Sequence, residues 1–99
     1  MACETISAED LRNQLALDIP GVMTKVTDWR HHFHEFPELS NREYKTQESI
    51  AEALIEMGLE PNLNYGITGV TAFIRGQNAG PLIALRADID GLPVTEKLN

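Results

Sequence analysis

The stretch Pro81-Leu82-Ile83-Ala84-Leu85-Arg86-Ala87 restricts the fold of this chain more than any other. It is almost continuously apolar, and such a run reads as a strand buried on both faces of a sheet. A strand of that kind needs helices on both sides, because each apolar face must be covered by another layer. The rest of the chain must therefore supply those layers or leave them to other polypeptide.

Upstream, the residue pattern is helical first and extended later. Ser7-Ala8-Glu9-Asp10 predicts a helix start, with Ser7 accepting a hydrogen bond from a free backbone N–H and the two acids suiting the positive end of the dipole. Leu11, Leu15 and Leu17 give this helix a thin apolar stripe, and Pro20-Gly21 is expected to break it. A second helix is expected over 22–36, where Val22, Val26, Trp29, Phe33 and Phe36 recur at spacings of four and three and so share one face. Pro37 ends it, since proline disfavours the α conformation in the residue before it. Ser40-Asn41-Arg42-Glu43 has the pattern of a capping box, and the helix it opens carries Tyr44, Ile50, Ala51, Leu54 and Met57 before Gly58 stops it. After Gly58 the period changes. Residues 59–65 form a weak strand candidate and 69–75 a stronger one, rich in β-branched and aromatic residues. Gly76 to Gly80 is turn chemistry, so 69–75 and 81–87 are expected to pair antiparallel within a mixed sheet.

The expected class is α/β: two to three helices followed by two to three strands. So few helices cover a doubly buried strand only if they wrap the sheet tightly. The reading preferred is that part of the cover comes from residues outside these 99, so that 22–99 is an incomplete domain preceded by an extension over 1–21.

Charge removes one class of partner. The 8 basic and 15 acidic residues leave a net charge of −7, and the basic residues are scattered singly, so nucleic acid is repelled. No apolar run approaches the roughly 18 residues that span a bilayer. The N-terminus has neither the basic nor the apolar segment of a secretory signal, and a cytoplasmic protein is expected. Cys3, the single cysteine, is read as an incidental free thiol.

Two clusters carry possible chemistry. Asp88 and Asp90 stand just past the C-terminal end of the apolar strand, the edge at which α/β sheets bind ligands. Residues two apart in extended chain point the same way, so both carboxylates could face one spot. Their mutual repulsion would call for a cation, and a divalent metal is the natural occupant. The alternative is that they only end a strand and cap a turn, as aspartate often does. The second cluster is His31-His32-Phe33-His34-Glu35, where His31 faces His34 and Glu35 at helical spacing able to hold a metal. The plainer reading is preferred there: a polar helix face, with His34 fixing the turn before Pro37. There is no phosphate-binding glycine loop, serine nucleophile elbow or paired-cysteine motif.

Arg30, His34, Pro37-Glu38-Leu39-Ser40, Glu43 and Thr46 occur in an order and spacing that resembles the start of metal-dependent amidohydrolases. These are the hippurate hydrolase, N-acyl-amino-acid hydrolase and indoleacetyl-amino-acid hydrolase types of the aminoacylase–carboxypeptidase family. Gly58, Thr68-Gly69-Val70, Gly80-Pro81 and the run from Leu85-Arg86-Ala87-Asp88 through Ile89-Asp90-Gly91-Leu92-Pro93-Val94-Thr95-Glu96 continue the resemblance, which covers about 22–99. Gly91 stands where many members of the family carry alanine, a minor departure.

The resemblance implies the N-terminal part of a zinc-exopeptidase-like α/β/α sandwich, which in full-length members is interrupted by a smaller dimerisation domain. It implies hydrolysis of the amide bond of an N-acyl amino acid, with divalent metals (zinc, or manganese, cobalt or nickel) activating water and a glutamate moving the proton. In the wider superfamily the position of Asp88 is a metal-binding histidine and that of Asp90 the carboxylate orienting it. In the hippurate-hydrolase branch the ligands instead come largely from a Cys-x-His motif, a Glu-Glu pair and distant histidines, all beyond Asn99. Asp88 is then expected at the wall of the metal site and Asp90 as an orienting carboxylate, with His34, Pro37, Glu38, Glu43, Arg86 and Pro93 as structural parts of the motifs. The chain by itself is expected to bind no metal and to be inactive. A different reading is a non-catalytic binding or regulatory module that keeps part of the hydrolase fold.

Overall fold

The structure, a computed structural model, describes residues 6–95 and 97. The chain divides into two compact units, Met1–Phe33 and His34–Asn99. The described elements are α1 (Ala8–Glu35), α2 (Tyr44–Glu56), β1 (Asn62–Tyr65) and β2 (Gly69–Thr71). They are the elements of an α/β chain, with helices first and strands second.

The first unit is built on α1. Ser7 opens it as expected: its Oγ accepts from the Asp10 N–H at 3.1 Å, and its carbonyl accepts from the Leu11 N–H. The break expected at Pro20-Gly21 does not occur. α1 runs for 28 residues with Pro20 inside it, joining the two helices expected on either side. Proline withdraws one donor and crowds the carbonyl four residues back, here that of Ala16, but it leaves the residues after it free to stay helical. The turn before Pro20 holds the good helix formers Ala16 and Leu17, and Gln14 donates to Asp18 one turn on, at 3.0 Å, just ahead of the interruption. The stripe expected on 22–36 is present in the spacing, but Val22 and Val26 are exposed while Trp29 and Phe33 are half-buried. The Lys25 ammonium lies 5.7 Å from the centroid of the Trp29 ring. No helix among the described residues is long and apolar enough to cross a membrane.

The second unit holds α2 and the two-stranded sheet. Helix α2 begins later than the expected capping box would put it. Ser40 and Asn41 form a β-turn closed by the Arg42 N–H donating to the Leu39 carbonyl at 2.9 Å, and Asn41 takes φ 64°. Asparagine tolerates that left-handed position better than other side chains, and the turn spends the residues a capping box would have used. Glu43 occupies the N-cap position with no side-chain capping bond. At the other end Gly58, at φ 83°, stops the helix as expected. Its N–H donates to Ile55 and the Leu59 N–H to Leu54, the paired bonds of a Schellman motif.

Strands β1 and β2 pair antiparallel, Asn62 with Thr71 and Tyr65 with Gly69, and the register shifts between these pairs. The turn between them is tight enough that a Cβ on Gly69 would strike the Tyr65 carbonyl. α2 packs on β2, where the Gln47 side-chain amide donates to the Gly69 carbonyl at 3.1 Å.

The strand expected over 81–87 is not formed. Among the described residues nothing pairs with this segment, and Leu82, Ile83 and Leu85 are 81%, 79% and 96% exposed. β2 has taken β1 as its neighbour instead, across a shorter connection. An extended segment becomes a strand only when another backbone accepts and donates along it, and apolar composition alone supplies no such partner.

One expectation about α1 is open to measurement. Pro20→Ala restores an N–H to the helix interior and should stabilise α1 by about 3 kcal/mol. Far-UV circular dichroism during thermal unfolding should show higher helix content and a later loss of it. An unchanged profile would mean that α1 does not run through residue 20.

Candidate functional site

The second unit encloses a polar centre. Ala51 is the one buried apolar side chain among the described residues, and the other buried side chains are Glu43, Thr46 and Thr68. A buried carboxylate and two buried hydroxyls persist only where their hydrogen bonds are made. They are made here: no buried side-chain nitrogen or oxygen among the described residues lacks a partner.

Glu38 organises the first half of this cluster. Its Oε1 accepts from the Thr46 N–H at 2.5 Å and from the Thr46 hydroxyl at 2.7 Å, and its Oε2 accepts from the Lys45 N–H at 3.2 Å. These N–H groups belong to the first turn of α2, which has no helical carbonyl to receive them and carries no acidic residue of its own. Glu38 supplies from outside both the acceptor and the negative charge that a helix start favours. Burial alone would raise its carboxyl, but the Thr46 hydroxyl, the Thr46 and Lys45 N–H groups and the Lys45 ammonium outweigh that and hold it below the ordinary glutamate value.

Glu43 organises the second half. Its Oε2 accepts from the Thr68 hydroxyl, which ties the start of α2 to the turn between β1 and β2. The expected role of Glu43 as a reciprocal cap for Ser40 is thus replaced by a bond twenty-five residues away in the chain. In the sequence Thr68 figures only within the Thr68-Gly69-Val70 part of the resemblance. Its one signal is a hydroxyl placed directly before Gly69 in a turn, and no pattern reveals that it will meet a buried carboxylate.

Glu38 also reaches the downstream motif through its backbone. The Gly91 N–H donates to the Glu38 carbonyl at 2.7 Å, and a Cβ built on Gly91 would lie 2.6 Å from the Cβ of Pro37. The two stretches that carried the resemblance, Pro37–Ser40 and Asp88–Pro93, therefore meet at this point. The glycine is not a minor departure in this chain, since alanine fits there only if Pro37 moves. Pro93 lies at the centre of a short turn in which the Val94 N–H donates to the Leu92 carbonyl at 2.8 Å.

The acidic pair is placed differently. Asp88 accepts from the Arg86 guanidinium at 2.8 Å in an ion pair exposed on both sides, and Asp90 is exposed beside half-buried Ile89 and Gly91. His31 is exposed, with its Nε2 3.3 Å from the Arg30 guanidinium. His34 is exposed just past the helix interior. Among the described residues no three histidine, cysteine, aspartate or glutamate side chains converge as a metal would require. Asp88 is engaged by Arg86, and both carboxylates of the polar centre are spent as hydrogen-bond acceptors. The donors described do not by themselves fit the metal that the resemblance implies. Cys3 and Glu96 lie outside the described residues.

Comparison with known proteins gives the family. The chain is 41% identical over 91 residues to thermostable carboxypeptidase 1 of Saccharolobus solfataricus, which covers 91% of this chain and 23% of that protein. It is 48% identical over 68 residues to the N-acetyl-L-cysteine deacetylase of Bacillus subtilis, 69% of this chain and 16% of that one. It is 41% identical over 79 residues to the N-acyl-L-amino acid amidohydrolase of Geobacillus stearothermophilus, 80% and 21% of the two chains. The chain thus spans about a quarter or less of the length of the curated relatives it matches. No family model matches, and no solved structure matches.

Two measurements test this arrangement. The depressed Glu38 carboxyl stabilises the fold above the ordinary glutamate value of 4.5, and that contribution fades as pH falls through 4.5 and on through the lower folded value. Glu38→Gln should therefore lower stability at neutral pH by about 0.5–1 kcal/mol, and the gap between the two chains should close as the solution is acidified. A gap that stays constant with pH would show that the charge plays no part. Gly91→Ala should lower the urea midpoint by the equivalent of about 1–3 kcal/mol, the usual range for an overfilled site.

Proposed function

Because the chain belongs to the family of these carboxypeptidases and N-acyl-amino-acid amidohydrolases, we propose that it is part of a hydrolase that cleaves the amide bond of N-acyl amino acids. Residues 22–99 then belong to the catalytic domain, an α/β/α sandwich with a mixed sheet, and 1–21 are an extension of it. The observation that carries the reading is the meeting of the Pro37–Ser40 and Asp88–Pro93 stretches at the Gly91–Glu38 hydrogen bond. Two motifs far apart in sequence that share one point in space are most simply read as parts of one site.

Within that site the roles divide by what each side chain already does. Glu38, Glu43, Thr46 and Thr68 are committed to one another and serve as framework. Asp90, and Asp88 with its exposed and therefore weak ion pair to Arg86, stand at the end of the segment that this framework holds, able to face a substrate or orient a ligand. A divalent metal, zinc among the choices, and pairing of two chains through a separate domain belong to the same proposal for the whole protein. No step is assigned to the metal, since the described donors do not form its site. For the same reason the 99 residues alone are expected to be inactive.

Grafting provides the test. The chain replaces its counterpart in the Geobacillus amidohydrolase, which it matches over 79 residues, and N-acetyl amino acid hydrolysis is measured. The graft should retain activity, Asp90→Asn within it should lower kcat about 10–100-fold, and the isolated chain should show no turnover with added zinc, manganese or cobalt. A folded graft without activity, or an Asp90→Asn graft as fast as its parent, would exclude the reading.

A further inference from the structure

Glu38 is joined to its surroundings at two levels. Its side chain is held at three points on the first turn of α2: both oxygens accept, from Lys45 N–H, Thr46 N–H and the Thr46 hydroxyl. Its main chain is held at another: its carbonyl accepts from the Gly91 N–H at 2.7 Å. Pro37, the residue before it, lies against Gly91 so closely that only a residue without a Cβ fits unless Pro37 shifts. Asp90 is the immediate neighbour of Gly91, and Asp88 is two residues further back.

We propose that Glu38 is a positioning residue: by anchoring its own peptide to the start of α2, it sets where the Asp88–Asp90 carboxylates stand. This deepens the hydrolase reading and rests on it for its meaning in catalysis. The mechanics need only the bonds just named. A glutamate side chain fixed at three points has lost the rotations that would let its backbone swing, so its carbonyl is held still. A fixed carbonyl gives the Gly91 N–H a fixed acceptor, and the fixed Pro37 ring closes the space beside it. Elsewhere, apart from half-buried Ile89, the acidic segment is exposed: Leu85, Leu92 and Val94 are 96%, 74% and 66% exposed. The ion pair from Arg86 to Asp88 is a surface one and adds little restraint. Among the described residues the Gly91–Glu38 bond is the backbone hydrogen bond that ties this segment to another part of the chain, and its rigidity comes from the Glu38 carboxylate.

The distinguishing feature is that the bond to Gly91 uses a backbone carbonyl, which no side-chain substitution removes. Glu38→Ala leaves that acceptor in the chain and deletes only the anchor. Amide hydrogen exchange on the full 99-residue chain then reads the transmission directly. In Glu38→Ala the Gly91 amide should exchange about tenfold faster, while the Leu59 amide, bonded to Leu54 at the far end of α2, changes less than about twofold. Glu38→Gln, which keeps an acceptor oxygen but not the charge, should give a smaller rise at Gly91 in the same order. An unchanged Gly91 amide would overturn the proposal. So would Gly91 and Leu59 rising together, since that is general loosening of α2 and not a specific link. If Glu38→Ala does not fold, the same comparison of Gly91 with Leu59 in Glu38→Gln decides. The grafted amidohydrolase reads a separate quantity. An active graft with uncoupled exchange sinks only the positioning role, and an inactive graft with coupled exchange sinks only the hydrolase reading.

Discussion

A single carboxylate, that of Glu38, is where the second unit of this protein is tied together. Helix α2 begins with N–H groups that its own geometry cannot satisfy, and its first turn offers no acid to meet them. Capping is usually done by the residue directly before the helix. Here the β-turn through Ser40 and Asn41 occupies that approach, and the acceptor comes from a longer side chain further back. Glutamate has the reach to cross that turn and two oxygens to divide among Lys45 and Thr46. Its charge adds a favourable interaction with the helix dipole that a neutral cap would lack. Without this bond the turn 39–42 would have little to fold against, since Leu39, Ser40, Asn41 and Arg42 are all exposed.

The rest of the unit's interior follows the same logic. With Ala51 the single buried apolar side chain among the described residues, area burial contributes little there, and directional bonds do most of the specifying. A buried charge-assisted bond such as Glu43 to Thr68 contributes on the order of 1.5–3 kcal/mol, and breaking it strands a carboxylate away from water. That asymmetry favours one arrangement over its neighbours even where the net gain is small. It accounts for α2 and the β1–β2 turn holding a defined register with so little apolar material between them.

What could be read in the residues beforehand divides along the range of the forces involved. Ser7, Pro37 and Gly58 were legible because each acts within four residues of itself, through an N-cap, a fixed φ and a left-handed stop. The strand signals at 59–65 and 69–75 likewise produced β1 and β2, shortened at their ends. The capping box at Ser40 failed because two local motifs competed for the same residues and the turn won. Pro20 failed because a helix can carry one missing donor, and the residues after a proline remain free to be helical. The segment 81–87 failed for another reason: its composition states that it should be buried, and composition cannot name what buries it. The same limit hid the site. Glu38, Glu43 and Thr68 lie in plain sight in the sequence, but their pairing crosses turns and elements and leaves no periodic trace.

The exposed segment also bears on the functional reading. Burying Leu82, Ile83 and Leu85 would each release about 1.5–3 kcal/mol, together comparable to the lower end of a whole domain's stability. In the proposed α/β/α sandwich a partner strand and a covering layer would supply that burial. The acidic pair sits at the end of that same segment, so docking of 81–87 and placement of Asp88 and Asp90 are not independent events. One end of the segment is already fixed at Gly91 by Glu38, and pairing of the strand would fix the other. Between two fixed ends the carboxylates have little freedom left, which is the condition a hydrolytic site needs for groups that must hold their geometry to a fraction of an ångström. On that proposal the exposure of Asp88 and Asp90 and the exposure of the apolar run have one cause, a segment without a strand partner among the described residues.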